Sequence, residues 1–209
     1  MLTIHTAELL LPGGGLPAVP GGAVAVHGRE IAATGSYEEV AAACPGARVR
    51  RWPGVLTPGL VHPYGAELLD RAYHPDPREA DELGTEPLPA AGTSALGALA
   101  MDEARWGASA RRGAQRLLAH GVTAIGGTPR RAAVADAVAR TGLTVLPAGG
   151  TAAPAATKWT FRAPAGAYAG VLDARGVGER ADLAVFDGPG DGAGCLATVL
   201  AGRLLHRRR

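Results

Sequence analysis

Hydrophobic periodicity differs between the two ends of the chain and its middle. The N-terminal strand candidates are residues 2–10, 22–26 and 30–33, and the C-terminal ones are 182–186, 195–200 and 203–206. Two of the N-terminal segments flank a tight turn at His27-Gly28-Arg29, which predicts a hairpin. β structure is therefore expected at both ends of the chain. Strands from the two ends can close on each other and form one discontinuous domain.

The middle of the chain alternates between helical spacing and short apolar runs. Residues 110–118 have apolar positions at helical spacing and lead through His120-Gly121 into the apolar run 122–125. The same pattern returns over 130–140 and 143–146. Helices that alternate with buried strands predict a parallel sheet. Shorter helices are predicted at 37–44, where Ser36 can cap the first turn, and at 165–174.

Three segments follow neither of these long patterns. Residues 47–52 are mostly charged, so a strand there is predicted at a sheet edge, and Pro53-Gly54 should end it. Residues 59–62 form a short apolar run, which predicts a buried strand. Residues 72–95 hold six prolines or glycines together with several acids. This stretch predicts a long loop that is mobile or becomes ordered only with a ligand.

Composition and charge limit the class of protein. Of the 209 residues, 47% are hydrophobic and only 4% are aromatic, which excludes a disordered chain and predicts a core of Ala, Val and Leu. Because 21 basic residues nearly balance 19 acidic ones, we expect no nucleic-acid partner. The N-terminus lacks a signal-peptide pattern and no apolar run reaches 18 residues, so we expect no membrane association and a cytoplasmic location.

Three stretches, in this order, resemble one protein family. The run 52–61, Trp-Pro-Gly-Val-Leu-Thr-Pro-Gly-Leu-Val, resembles the entry to the barrel in the amidohydrolase superfamily, and most of all in imidazolonepropionase and aminodeoxyfutalosine deaminase. Residues 22–35 are similar to the N-terminal hairpin of that family, and residues 179–187 to its C-terminal return. The resemblance covers essentially the whole chain, with a large deletion inside it.

The resemblance implies an α/β fold with a β-sandwich. Residues 1–57 and 176–209 would form a composite β-sandwich domain, and 58–175 a truncated amidohydrolase-like α/β domain with parallel strands. A complete (β/α)₈ barrel needs roughly 200 residues or more, so this middle part has room for only about half of one. In the family, Pro-Gly-Leu-Val leads into a His-x-His pair that binds a divalent metal ion. The matching positions here are Tyr64 and Ala66, so the pair is absent.

The remaining candidates for chemistry are few. His62, His74 and Asp76 are the catalytic candidates, because imidazole and carboxylate are ordinary zinc ligands, and His62 with Tyr64 is the candidate for ligand binding. The alternative is that His62 only ends a strand while His74 and Asp76 lie in solvent. Asp70, Glu82 and Glu86 could act as acid–base groups in a loop lid, or could simply be solvated.

These observations predict a degenerate, imidazolonepropionase-like protein without metal-dependent hydrolase activity and without a cofactor. It would bind a small molecule or take part in an assembly. The alternative is a hydrolase of a non-peptide carbon–nitrogen bond, such as a cyclic amide or an aminofutalosine-type substrate, with zinc in a rebuilt site. A shortened barrel should also leave an open apolar sheet face, so we expect a homo-oligomer or a partner chain. The residues predicted on that face are Leu60, Val122, Ile125, Leu143 and Val145.

Overall fold

The computed structural model describes residues 1–89, 94–97, 99, 101–147, 176–190 and 192–208. Its strands are β1 (Leu2–Leu10), β2 (Val19–Pro20), β3 (Gly22–His27), β4 (Glu30–Ser36), β5 (Arg48–Pro58), β6 (Leu60–His62), β7 (Ala72–Tyr73), β8 (Leu88–Pro89), β9 (Val122–Gly126), β10 (Thr144–Leu146), β11 (Leu183–Phe186), β12 (Cys195–Leu200) and β13 (Arg203–Arg207). Its helices are α1 (Tyr37–Ala43), α2 (Gly65–Arg71), α3 (Ala80–Leu83), α4 (Ser94–Gly97), α5 (Glu103–Ala119) and α6 (Ala132–Thr141), with a 3₁₀ turn at Pro77–Glu79. The helix predicted at 165–174 lies outside the described residues.

The chain divides into two compact units. The first, which we call the sheet unit, comprises Met1–Val61, Leu118–Thr123 and Ala163–Arg209. The second, the helical unit, comprises His62–Leu117 and Ala124–Arg162. The predicted α/β class is confirmed, with one large mixed sheet and a smaller sheet that contains parallel strands.

The sheet unit is built from both ends of the chain. Its strands run in the order β13-β12-β11-β5-β1-β3-β4, and β2 also pairs with β1. β5 pairs in parallel with β1 and antiparallel with β11, so it joins the N-terminal strands to the C-terminal ones. Buried side chains from both ends share one apolar cluster: Ala7, Leu10, Val24, Val26, Ile31, Leu56, Ala181, Leu183, Val185, Ala197 and Val199.

One detail of β5 matches the sequence prediction and one differs from it. Among the described residues, the charged first half of β5 pairs with β1 alone, as predicted for a sheet edge, whereas Val55–Pro58 pairs with β11 and lies inside the sheet. Pro53-Gly54 does not end the strand, because a register shift between Ala7 and Leu9 absorbs the extra residue. Gly54 has φ +74°, a conformation that favours glycine, and the strand continues past it.

The hairpin and the first helix are confirmed as predicted. β3 and β4 pair antiparallel around the turn at Gly28, which has φ +62°. The Ser36 hydroxyl accepts a hydrogen bond from the backbone N–H of Glu39, while the Glu39 carboxylate accepts one from the backbone N–H of Ser36. This reciprocal cap fixes the start of α1.

The helical unit confirms the predicted helices, whereas the predicted loop at 72–95 is wrong over the described residues 72–89, and residues 90–93 lie outside the described residues. Over residues 72–89 the structure has β7, the 3₁₀ turn, α3 and β8, and it places α4 at Ser94–Gly97. Tyr73 and His74 have 1% and 0% of their surface exposed. β7 pairs with β8, and α5 supplies polar partners to the segment between them. These contacts connect residues far apart in sequence, so they leave no local period.

Most of the predicted open sheet face is covered within this chain. In the smaller sheet, of order β10-β9-β6, β10 pairs in parallel with β9. Four of the five residues predicted on the open face, Leu60, Val122, Ile125 and Leu143, are buried, and Val145 is 45% exposed. None of the described helices is long and apolar enough to cross a membrane.

Candidate functional site

The segment that follows β6 holds the candidates His62 and Tyr64. His62 ends β6 with only 3% of its surface exposed. Its Nδ1 atom accepts a hydrogen bond from the backbone N–H of Tyr64, at 3.3 Å. That nitrogen is therefore committed to the turn between β6 and α2, and the turn sets the direction in which α2 begins.

The positions that match the metal-binding His pair do not fit a metal ion. Tyr64 directly precedes α2, and Ala66 is 2% exposed in its first turn. A Cβ atom on Gly65 would overlap Ile125, and one on Gly126 would overlap the carbonyl of Pro63. The backbone of this segment thus lies directly against the end of β9. The methyl side chain of Ala66 offers no ligand atom, so we derive no metal-dependent step from these positions.

His74 is buried in cationic surroundings, so the prediction that it lies in solvent is wrong. Its backbone N–H donates to the Ser109 hydroxyl at 2.8 Å, and its carbonyl accepts from Nε of Arg112 at 2.8 Å. Burial, and then the charges of Arg116 and Arg112, lower the pKa of His74 to about 3. The imidazole is therefore neutral at neutral pH, and the nearby guanidinium groups oppose the approach of a divalent cation.

Asp76 and Glu79 form a capping box at the 3₁₀ turn. Asp76 accepts a hydrogen bond from the backbone N–H of Arg78, and the backbone N–H of Asp76 donates to the Glu79 carboxylate at 2.8 Å. Asp76 also pairs with Arg112 at 3.3 Å. Asp76 thus takes part in a helix cap and an ion pair.

Glu79 is the centre of this polar group, which we call the Glu79 network: Tyr73, Asp76, Glu79, Arg105 and Arg112. The Tyr73 hydroxyl donates to Glu79 at 2.6 Å, and Arg105 pairs with Glu79 at 3.0 Å. Burial raises the pKa of Glu79, but the hydrogen bonds from Tyr73 and the Asp76 backbone, together with Arg105, outweigh it and leave the pKa below its usual value. Glu79 therefore stays ionised to a lower pH than an ordinary glutamate.

Aromatic rings close the other side of this network. Trp106 is 5% exposed and meets the Tyr73 ring edge-on, at 6.5 Å between ring centroids. The guanidinium of Arg131 lies 4.3 Å from the centroid of the Trp106 ring, and that of Arg112 lies 5.8 Å from the Tyr73 ring. These contacts order the segment that the sequence predicted as a loop.

The three acids predicted for a loop lid do not share a site. Asp70 is 7% exposed at the end of α2 and accepts hydrogen bonds from the backbone N–H groups of Arg130 and Arg131, at 2.7 and 3.3 Å. It thereby caps the start of α6. Glu82 and Glu86 are exposed, and Glu86 lies 3.8 Å from Arg116. The lid interpretation is therefore wrong for Asp70, whose role is structural.

The structure does not assemble the rebuilt zinc site. Across the described parts of the chain, no three or more His, Cys, Asp or Glu residues are grouped so that they could hold a metal ion. His74 and Asp76 share Arg112 as a partner, whereas His62 is bonded to its own turn. The sequence analysis did not identify the Glu79 network. One pattern could have indicated it: Asp76-Pro77-Arg78-Glu79 is typical of a capped helix start.

Comparisons with known proteins give one kind of match. No family model and no curated protein matches the chain. Among solved structures, Aspergillus niger ochratoxinase is 25% identical over 71% of this chain and 31% of its own, with a TM-score of 0.46. Helicobacter pylori aminofutalosine deaminase is 17% identical over 69% of this chain and 34% of its own, with a TM-score of 0.42. An amidohydrolase from an environmental sample of the Sargasso Sea is 20% identical over 75% of this chain and 36% of its own, also with a TM-score of 0.42.

The chain is similar to part of these amidohydrolase structures. It spans about a third of the length of the solved structures that it matches.

Proposed function

We propose that this chain is a degenerate amidohydrolase-like protein that acts by binding a small molecule or by assembling with another chain, without metal-dependent hydrolysis. The observation that carries the proposal is the replacement of the His pair. Tyr64 and Ala66 occupy its positions, and Ala66 is buried in the first turn of α2. An open catalytic zinc site needs about three protein ligands and a water molecule, so the loss of two ligands supports the proposal.

The surroundings of the other candidates support the same proposal. His74 is held neutral next to Arg112 and Arg116, and Asp76 is occupied by a cap and an ion pair. A rebuilt hydrolytic site would require these groups to leave their present partners. We also propose the finer architecture given by the resemblance, with 1–57 and 176–209 as a composite β-sandwich and 58–175 as a truncated barrel remnant.

Metal analysis tests the proposal directly. The chain is purified from cells grown with zinc, dialysed, and measured by inductively coupled plasma mass spectrometry. We expect far less than one equivalent of zinc, iron or manganese per chain. The variants His62→Ala and His74→Ala are compared with His27→Ala, which removes an exposed histidine from the end of β3. One metal per chain that is lost in His62→Ala or His74→Ala, but kept in His27→Ala, would overturn the proposal and favour the zinc hydrolase.

Assembly through the edge of the smaller sheet is the second part of the proposal. Among the strands that the structure describes, β10 is an outer strand in the order β10-β9-β6, and Val145 on it is 45% exposed. Light scattering at low micromolar concentration should give a mass greater than that of one chain, and Val145→Lys should reduce it. A single-chain mass for the unaltered protein would leave ligand binding as the proposed function.

A further inference from the structure

Three arginines lie together at one end of the large sheet. Arg48 and Arg50 are two residues apart on β5, so their side chains leave the same face of the strand about 7 Å apart. Arg207 lies near the end of β13, and its guanidinium is 5.7 Å from the ring centroid of Trp52, the next residue of β5 on that face. We call Arg48, Arg50 and Arg207 the arginine cluster.

Among the described residues, no carboxylate forms an ion pair with Arg48, Arg50 or Arg207. Within that part of the chain, the cluster therefore keeps its positive charge. Partial burial, and then the charges of Arg48 and Arg207, lower the pKa of Arg50, so both neighbouring charges act on Arg50. Like charges held together at a cost in free energy are common where a ligand of opposite charge binds.

The face that carries the cluster is fixed by its neighbours. In the register of β1 and β5, His5 lies opposite Arg50. The indole N–H of Trp52 donates to Nδ1 of His5 at 3.1 Å, and the two rings are nearly parallel, 7° apart. His5 is 3% exposed, so the hydrogen-bond partner of the Trp52 ring is a buried side chain. The ring in turn offers its face to Arg207, which limits where that guanidinium can lie.

We propose that the arginine cluster binds the phosphate group of a small molecule. Guanidinium groups donate paired hydrogen bonds in a planar fork that matches the oxygens of phosphate, and a phosphate dianion offsets the repulsion among the three arginines. The site lies on the sheet unit and does not depend on the proposed loss of hydrolysis. Its failure would leave that proposal intact.

Calorimetric titration of the full chain with inorganic phosphate tests this site, at constant ionic strength set with sodium chloride. We expect saturable binding by the unaltered protein, and at least about tenfold weaker binding by the double variant Arg50→Gln/Arg207→Gln, because a hydrogen bond to a charged group contributes more than a neutral one. The control is Arg140→Gln, which removes a positive charge whose side chain is 71% exposed on α6. It should bind phosphate as the unaltered protein does.

A second variant and a second ligand sharpen the result. Arg48→Gln changes an exposed side chain, so it should fold even if the double variant does not, and it should weaken phosphate binding several-fold. A nucleoside monophosphate, titrated in parallel, distinguishes free phosphate from an organic phosphate: tighter binding of the nucleotide supports the organic source, and equal binding supports the free ion. No saturable binding by the folded protein, or equal weakening in Arg140→Gln, would overturn the proposal.

Discussion

The sheet unit and the helical unit are stabilised in different ways. The sheet unit joins both ends of the chain through β5 around a cluster of aliphatic side chains. The helical unit also buries apolar residues, but its segment 72–79 is fixed by the Glu79 network and by the rings of Tyr73 and Trp106. Apolar burial is non-directional and repeats with the strand period, whereas the polar contacts depend on particular partners distant in sequence.

This difference means that the two units should respond differently to mutation and to pH. Truncation of an apolar side chain in the sheet unit should weaken the strands of both chain ends together. Loss of a polar partner in the helical unit should act on a more local segment.

The largest effect is expected for Leu56→Ala. Leu56 is fully buried on β5, opposite Leu10 of β1 and Val185 of β11, so its loss leaves a cavity between the strands of both ends. The free energy of unfolding, from urea titration followed by circular dichroism, should fall by about 2 to 5 kcal/mol. Leu205→Ala, at a site 44% exposed on β13, should change it by less than about 0.5 kcal/mol. Equal losses in the two variants would contradict a shared apolar core.

The free energy of unfolding should depend on acid pH through one buried histidine in each unit, His5 in the sheet unit and His74 in the helical unit. Burial, aided by Arg50, lowers the pKa of His5 to about 4, and burial, aided by Arg116 and Arg112, lowers that of His74 to about 3, both from 6.5. The unfolded chain then binds more protons than the folded chain below about pH 6.5. Stability should therefore be complete above pH 6.5 and should decrease as the pH falls, by roughly 1.4 kcal/mol per unit for each group.

The two histidines can be separated by their pH ranges. The contribution of His5 should end near pH 4, whereas that of His74 should continue to about pH 3. Urea unfolding between pH 7 and pH 3 should show a flatter curve above pH 4 for His5→Asn, and a flatter curve over the whole range for His74→Asn. His27→Asn, at an exposed site, is the control. Curves parallel to that of the unaltered chain in both variants would show that folding lowers the pKa of neither histidine.

A pair of glycines in the sheet unit tests the irregular point in β5. Gly54 and Gly28 both have positive φ, but a Cβ at Gly54 would overlap the carbonyl oxygen of Phe186, whereas one at Gly28 meets nothing within 4 Å. Gly54→Ala should therefore cost about 1 to 3 kcal/mol of backbone strain and a further term for the overlap. Gly28→Ala should show the strain alone. Equal unfolding free energies would mean that the strand shifts at Gly54 without cost.

The same contrast explains what the sequence could predict of the fold. The hairpin, α1, α5, α6 and the strands at both ends follow from periodicity and from local caps such as Ser36 with Glu39. The sequence predicts residues 72–79 as a loop, because the contacts that order this segment come from distant residues and leave no pattern in the local sequence. Ser109 is 35 residues from His74, and Arg105 is 26 residues from Glu79. No local period records such contacts. A polar network between segments that are distant in sequence therefore becomes evident only in the structure.

The candidate site could be predicted only in part, because residue identity can be read from the sequence whereas contacts between distant residues cannot. The absence of the His pair at Tyr64 and Ala66 could be read from the sequence, because it depends on residue type at two positions. The surroundings of His74 could not be read from the sequence, because they depend on Arg112 and Arg116, which lie on a different element, α5. The arginine cluster likewise combines β5 with β13, two strands that are more than 140 positions apart in the sequence and are not neighbours in the sheet.

The smallest effect compares two acids on α2 within the helical unit. Asp70 is buried and accepts from the backbone N–H groups of Arg130 and Arg131, while Glu67 forms an exposed pair with Arg71. Asp70→Ala leaves the start of α6 without its cap and should cost about 1 kcal/mol, whereas Glu67→Ala should cost about 0.3 to 0.5 kcal/mol, since solvent screens the exposed pair. Amide exchange should locate the first loss in the opening turn of α6. Unchanged exchange there, together with equal unfolding free energies, would mean that polar contacts do not fix this unit.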